Sequence, residues 1–228
     1  MEIISPAKPD KIKSFLQSDY PDYFRRDVHT LLAFGYDSIR HEINCDTEEP
    51  TITVRMAEAI NIGLNTIGHL PDRLQREPYS VFPEPAEIKT KDLKNIKDEY
   101  IYFDVVFEES TRTIPRRRYT VEAKRLKTNG FSIGKYCDDG IMRFVNEVYA
   151  SAYPEAAMIG FFQDKDVNYW FGELARKFKE DEKHKKMLVE LNLTKINVVS
   201  QILNEWFSIH QRKSGNKILL FHIFWDCS

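Results

Sequence analysis

The fold is decided by Tyr-Ile-Tyr-Phe-Asp-Val-Val-Phe at residues 100–107 and Arg-Tyr-Thr-Val-Glu-Ala-Lys-Arg-Leu at residues 118–126. Both runs are rich in β-branched and aromatic residues, which is typical of β-strands. The segment between them, residues 108–117, is charged and contains Thr and Pro, so we expect it to form the loop of a hairpin. The remaining chain is interpreted around these two strands.

Three charged residues on the two predicted strands fall close together in one register. Side chains alternate between the faces of a strand, so Glu122 and Lys124 share a face. If the hairpin is symmetric about Thr113, Asp104 lies opposite Glu122, and directly opposed residues also share a face. A bulge or an uneven loop would shift this register. In the symmetric case, an Asp, a Glu and a Lys converge on one spot.

This combination of groups is suited to hydrolysis of a phosphodiester. Two neighbouring carboxylates in a half-buried sheet repel each other and lose hydration, a cost that a divalent cation offsets. Their oxygens favour Mg²⁺ or Mn²⁺. A nearby lysine can orient a water molecule and stabilise negative charge that builds up on a phosphate.

The arrangement resembles the PD-(D/E)XK nuclease superfamily, whose motif places an acid on one strand and acid-x-Lys on the next. Here these are Asp104 and Glu122-Ala123-Lys124, with Phe103 in place of the usual Pro. The resemblance implies that Asp104, Glu122 and the Ala123 carbonyl bind Mg²⁺ or Mn²⁺, and that Lys124 positions and activates the attacking water.

The resemblance continues downstream and implies a fold. Residues 136–149 and 156–162 are similar to the helix and the following strand of the nuclease core, so the resemblance covers about residues 50–170. It implies an α/β fold with a restriction-endonuclease-like core, in which a mixed central sheet is flanked by helices, with N- and C-terminal elaborations. The apolar run at 156–162 is expected to pair in parallel with the strand that carries Glu122.

Hydrophobic periodicity and turn residues predict the other elements. We expect helices at about 22–34, ending at Gly35, at about 53–68, and at about 166–181, and a hairpin formed by 205–212 and 217–226. Many members of the superfamily carry a Glu on the helix before the first core strand, and Glu58 is the candidate for that role. The alternative for Glu58 is a solvated carboxylate on the helix face.

Basic residues surround the predicted hairpin and could hold a phosphate backbone, which would give affinity without sequence information. An ordinary charged loop is the alternative. Gln163 follows the strand at 156–162 and could contact substrate, although a hydrogen-bonded loop amide is the alternative. The predicted nucleic-acid-binding residues are Arg116, Arg117, Arg118, Arg125, Lys127 and Gln163.

Composition sets the outer bounds. The 228 residues suffice for one sizeable core, so we expect a single domain over 1–228. The net charge of -2 gives no global attraction to nucleic acid, so any such surface must be local. Three cysteines without zinc-type spacing favour a reducing cytoplasm, and no segment predicts secretion or a membrane span.

The function that we predict is metal-dependent cleavage of nucleic acid, most readily DNA, in a restriction or phage-defence context, by a homodimer or with a partner subunit. The first alternative is the same fold acting without catalysis as a nucleic-acid or protein binding module in a larger assembly. A second alternative is an ordinary hairpin in an unrelated enzyme, with the charged triplet forming a surface ion pair worth at most ~1 kcal/mol.

Overall fold

The computed structural model describes residues 21–76, 79–83, 86–88, 100–102, 105–109, 117–130, 132–189 and 193–228. The helices are α1 (Asp22–Ile39), α2 (Glu49–Asn65), α3 (Asp72–Arg76), α4 (Ile133–Lys135), a π-helix (Tyr136–Ile141), α5 (Met142–Val145), α6 (Val167–Glu180) and α7 (Glu182–Met187). The strands are β1 (Tyr79–Pro83), β2 (Ala86–Ile88), β3 (Tyr100–Tyr102), β4 (Val105–Glu109), β5 (Arg118–Leu126), β6 (Glu155–Phe162), β7 (Thr194–Lys195), β8 (Glu205–Gln211) and β9 (Lys217–Asp226). None of the helices in these ranges is long and apolar enough to cross a membrane.

Seven of the strands form one mixed sheet in the order β1-β4-β5-β6-β9-β8-β7, and β2 and β3 form a separate pair. The pairs β5–β6 and β6–β9 are parallel, whereas β1–β4, β4–β5, β8–β9 and β7–β8 are antiparallel. The predicted parallel neighbour of the Glu122 strand and the predicted C-terminal hairpin are both confirmed. The protein is therefore an α/β protein with a mixed sheet.

Helices cover both faces of the sheet because β6, at its centre, is apolar on both. All eight residues of β6 are buried. Ala157, Ile159 and Phe161 pack in the cluster that includes α1 and α2, whereas Met158 and Phe162 pack with the π-helix and α6. The result is a three-layer arrangement of helices, sheet and helices.

Helix α1 runs four residues beyond the predicted stop at Gly35 because that glycine is a packing position. A Cβ on Gly35 would lie 2.8 Å from Ile60 Cγ1, which belongs to α2. The missing side chain lets the two helices approach closely, and α1 continues to Ile39. The prediction that α1 ends at Gly35 was wrong, since close helix contact rather than termination explains the glycine.

Charged residues on the buried face of α1 tie the helix to the sheet. Arg25 Nε donates to Glu155 Oε2 at 2.8 Å, and Arg25 Nη2 donates to Glu155 Oε1 at 2.5 Å. His29 Nδ1 lies 2.6 Å from Glu205 Oε1, and both side chains are fully buried. The ion pair of Arg25 with Glu155 is closed within the low-dielectric interior, and together with the contact of His29 and Glu205 it fixes the position of α1 over the sheet.

The face covered by the π-helix contains a buried polar chain. Ser208 Oγ lies 2.7 Å from both His210 Nε2 and His222 Nε2, and Tyr136 Oη lies 3.0 Å from His222 Nδ1. Burial lowers the pKa of His210 to about 3 and places the pKa of His222 well below its usual value. Both imidazoles are therefore neutral in the folded protein at pH 7.

These two histidines should make the protein acid-sensitive. Their pKa values are lower in the folded than in the unfolded state, so protons bind preferentially to the unfolded chain. The contribution of the neutral histidines to the free energy of unfolding should be fully present above pH 6.5. Below that pH, the free energy of unfolding should fall by about 1.4 kcal/mol per pH unit for each histidine. The free energy of unfolding, measured in urea at several pH values between 7.5 and 5, should fall less steeply with decreasing pH in His210→Gln than in the wild type.

The control is His41→Gln, at an exposed position, and its free energy of unfolding should depend on pH as that of the wild type does. The same pH dependence in His210→Gln and the wild type would contradict the burial of a neutral His210.

Candidate active site

The β4–β5 pairing has the register expected from symmetry about Thr113. Val105 pairs with Val121 and Glu108 with Arg118. The predicted ligand Asp104 and the predicted phosphate contact Arg116 lie outside the described residues. Within the described chain, β5 pairs with β4 only as far as Val121, so the second half of β5, from Glu122 onward, has β6 as its strand neighbour.

Backbone groups on this second half of β5 alternate between the β6 side and the opposite side. The carbonyl oxygen of Leu126 accepts a hydrogen bond from Gln163 N, which continues from β6. Since successive residues of a strand direct their N–H and C=O groups to opposite sides, those of Ala123 and Arg125 point away from β6. On this side of the strand, the Arg125 N–H meets the carboxylate of Glu49.

Glu122 and Lys124 contact each other on this half of β5. Glu122 is 3% exposed, and its Oε1 accepts a hydrogen bond from Lys124 Nζ at 2.6 Å. Lys124 Nζ also donates to the Ala123 carbonyl oxygen at 2.7 Å. The structure thus brings together three of the predicted site residues. The second alternative drawn from the sequence was an ordinary hairpin with a surface ion pair. Because Glu122 is almost completely buried, its contact with Lys124 is not such an exposed pair.

A second carboxylate comes from the first residue of α2. Glu49 Oε1 lies 3.3 Å from Lys124 Nζ, and Glu49 Oε2 accepts a hydrogen bond from the Arg125 N–H at 2.7 Å. A buried backbone N–H needs a hydrogen-bond partner, and the carboxylate serves as one for Arg125. Glu49 is therefore held against β5 through two separate contacts.

Three oxygen atoms consequently surround one position, which Lys124 Nζ takes: Glu122 Oε1, Ala123 O and Glu49 Oε1. In the described part of the chain, no group of three or more His, Cys, Asp or Glu side chains is placed to hold a metal ion. Two carboxylates and one carbonyl are nevertheless hard oxygen donors of the kind that Mg²⁺ binds. The carboxylates of Glu122 and Glu49 and the carbonyl of Ala123 are therefore chemically suitable ligands for Mg²⁺.

The charge state of Glu122 depends on its cationic neighbours. Burial raises the pKa of the Glu122 carboxyl, whereas Lys124 and Arg143 act in the opposite direction and the negative charge of Glu49 raises it further. Burial alone favours the protonated acid, so the two cations are what favour the carboxylate. Any group that adds positive charge here would strengthen ionisation of Glu122.

The π-helix covers Glu122 closely. A Cβ on Gly140 would collide with Met158 Cε and would lie 3.9 Å from Glu122 Cγ, so only glycine fits without rearrangement. A single turn of π-helix inserted in an α-helix occurs frequently at functional sites. The helical segment after β5 thus closes one side of the candidate site.

The predicted phosphate contacts on and before β5 have protein partners. Arg117 Nη1 donates to Tyr23 Oη at 2.7 Å, and Arg118 Nη2 lies 2.9 Å from Glu108 Oε1. Arg125 is partly exposed. Arg117 and Arg118 precede Glu122 by four or five residues, so they lie toward the other end of the strand.

Two further predicted contacts hold the loop before α2 instead. Lys127 Nζ donates to the Cys45 carbonyl at 3.0 Å, and Gln163 Nε2 donates to the Thr47 carbonyl at 2.7 Å. Gln163 is only 3% exposed, which does not support direct contact with nucleic acid. Together the two side chains position the loop that leads to Glu49.

The structure brings Glu49, and not Glu58, to Lys124. Glu58 is exposed and lies nine residues farther along α2, which corresponds to about 13 Å along the helix axis. Sequence reasoning missed Glu49 because it began the helix at Thr53, four residues late. Pro50 was the available signal, since proline is favoured in the first turn of a helix.

The fold and the site define an α/β protein in which Glu49, Glu122 and Lys124 form a carboxylate-lysine cluster on strand β5 of a mixed sheet. Comparisons of the chain with protein-family models, with curated proteins and with solved structures give no match.

Removing the lysine should destabilise the protein by leaving a buried carboxylate without its partner. We expect Lys124→Met to lower the free energy of unfolding by about 3 kcal/mol at pH 7. Adding Glu122→Gln to that variant should restore much of the loss, because no buried charge then remains. Urea unfolding of the two single variants and the double variant measures this coupling. Equal stability of Lys124→Met and the wild type would contradict it.

Proposed function

We propose that the protein is a metal-dependent nuclease of the PD-(D/E)XK type, acting on DNA, with a restriction-endonuclease-like core. The observation that carries the proposal is the meeting of Glu122, the Ala123 carbonyl and Glu49 around Lys124 Nζ. The first three supply hard oxygen donors and the last supplies a cation.

The topology around this cluster supports the same proposal. An antiparallel hairpin of β4 and β5 is followed by helical segments and by β6, which returns parallel to β5. This is the succession of elements that the resemblance implied. Asp104 immediately precedes β4 in the sequence and remains the proposed second acid of the motif.

In this proposal each residue of the site has its own role in the hydrolysis of the phosphodiester. Glu122, Asp104 and the Ala123 carbonyl, with Glu49 beside them, would hold Mg²⁺, which supplies a Lewis acid for the phosphate oxygens. The oxygen of a water molecule forms a new bond to phosphorus and releases one proton to solvent, while one phosphorus–oxygen bond to a sugar breaks. Lys124 orients the water and neutralises charge on the phosphate. The departing sugar oxygen takes a proton from solvent.

The direct test is cleavage of linear, supercoiled and single-stranded DNA, and of RNA, with Mg²⁺, with Mn²⁺ or with EDTA. The wild type should cleave DNA only with a metal ion, and Glu122→Ala and Asp104→Ala should abolish cleavage while remaining folded by circular dichroism. Lys124→Ala should lower turnover more than it lowers Mg²⁺ affinity in calorimetry. Cleavage that persists in both acid variants would overturn the proposal.

The two glutamates of α2 offer a matched comparison. Glu49→Gln should reduce Mg²⁺-dependent cleavage by about tenfold or more, because it removes a charge beside Lys124. Glu58→Gln, on the same helix but at an exposed position, should cleave like the wild type. The opposite ranking of these variants in initial-rate assays would restore Glu58 as the relevant acid.

A catalytically silent binding module is the second candidate. One observation favours it: Lys124 already neutralises Glu122 and touches Glu49, so the cluster is satisfied without another cation. Binding of DNA or RNA that is independent of metal, with no cleavage under any of the conditions above, would support this candidate.

A further inference from the structure

Arg143 stands next to the carboxylate-lysine cluster and was not among the predicted site residues. It lies in α5, directly after the π-helix that covers Glu122, and its side chain is exposed. Its Nη1 donates a hydrogen bond to Tyr149 Oη, and its guanidinium lies 5.2 Å from the centre of the Tyr149 ring. Within the described residues, no carboxylate lies within salt-bridge distance of Arg143.

Tyr149 holds the guanidinium of Arg143 through the hydrogen bond to its hydroxyl and the contact with its ring. It is 1% exposed, and its ring packs edge-on against Phe144 at a centroid distance of 5.5 Å. Its backbone N–H and that of Val148 both bond to the Arg143 carbonyl. A buried ring with a hydroxyl at its end is a rigid support, so the guanidinium is held with little loss of entropy on binding a ligand.

The backbone around Tyr149 is unusual on both sides. Glu147 has φ of 60° and Ala150 has φ of 49°, a left-handed conformation that non-glycine residues seldom adopt. Such residues cluster at functional sites. The π-helix lies just before Arg143 in the chain, and Glu147 and Ala150 lie just after it, so the backbone is irregular on both sides of Arg143.

The helical segment that carries Arg143 places this pair beside the cluster. Gly140 lies three residues before Arg143, and a Cβ built on it would be 3.9 Å from Glu122 Cγ. Residues three apart on a helix are neighbours on one side of it, so Arg143 extends from the side of the segment that faces Glu122. Burial raises the pKa of the Glu122 carboxyl, and the positive charge of Arg143 acts against that rise.

We infer that Arg143, positioned by Tyr149, is the phosphate-binding arm of this site and contacts the non-bridging oxygens of a phosphodiester held over Glu122 and Lys124. The inference rests on the proposed nuclease function and extends it to the recognition of substrate. A guanidinium presents several donors in one plane and matches two phosphate oxygens at once, which an ammonium does not. One donor is used by Tyr149, and others remain for the phosphate.

The test uses Arg143→Ala, Arg143→Lys and Tyr149→Phe in the full chain. Arg176→Ala is the matched control, because Arg176 is an exposed arginine on α6 that pairs with Glu173 and Glu180. Arg143→Ala should lower kcat for Mg²⁺-dependent cleavage by about 100-fold. Arg143→Lys should recover only part of that loss, and Tyr149→Phe should lower kcat by about tenfold while KM changes less. Arg176→Ala should match the wild type.

Binding is measured separately, by fluorescence anisotropy of a labelled DNA duplex in EDTA. Arg143→Ala should bind about tenfold more weakly than the wild type, and Arg176→Ala should not. If the wild type binds DNA without cleaving it, this difference still supports the phosphate-binding arm although hydrolysis fails. If Arg143→Ala binds and cleaves DNA as well as the wild type does, the inference about Arg143 is overturned and the nuclease proposal stands. If the wild type binds neither DNA nor RNA, both are overturned.

Discussion

The contact between Glu122 and Lys124 is the interaction on which the candidate site depends. Removing a carboxylate from water costs several kcal/mol, and a single well-placed ammonium offsets part of that cost. The contact lies in the half of β5 that follows Val121, where α2 and the π-helix both reach it. Glu49 arrives from α2 on one side, and the π-helix closes over Glu122 on the other.

The parallel strands give this contact its rigidity. β5, β6 and β9 lie side by side, and the buried strand β6 packs against helices on both faces. Side chains on such strands hold their positions better than side chains on loops. The C-terminal hairpin therefore does more than cover the core, because β9 pairs directly with β6 and stiffens the strand next to Glu122.

The sequence predicted those parts of the fold that depend on local periodicity and turn chemistry. The β4–β5 register, the parallel partner of β5 and the C-terminal hairpin all follow from alternation, apolar runs and a Ser-Gly-Asn turn. It failed where tertiary contact overrides local preference: Gly35 continues a helix because Ile60 packs against it. In the same way, Glu49 is recognisable only once α2 is known to begin there and to meet the edge of β5. The partners of Lys127 and Gln163 are likewise far away in sequence.

Charge balance gives a physical reason for the composition of the site. Among the described residues of the site, Glu49 and Glu122 in ionised form contribute two negative charges, and Lys124 and Arg143 contribute two positive ones, so these four side chains balance one another. A balanced cluster can be half buried at modest cost, which agrees with the exposure of Arg143, the partial burial of Lys124 and the burial of Glu122. A phosphodiester brings one negative charge and gains another as hydroxide adds to phosphorus. In the proposed nuclease, Asp104 would add a third carboxylate, and a divalent cation would offset part of this added negative charge. The proposed substrate and metal ion would then favour each other's binding at this site.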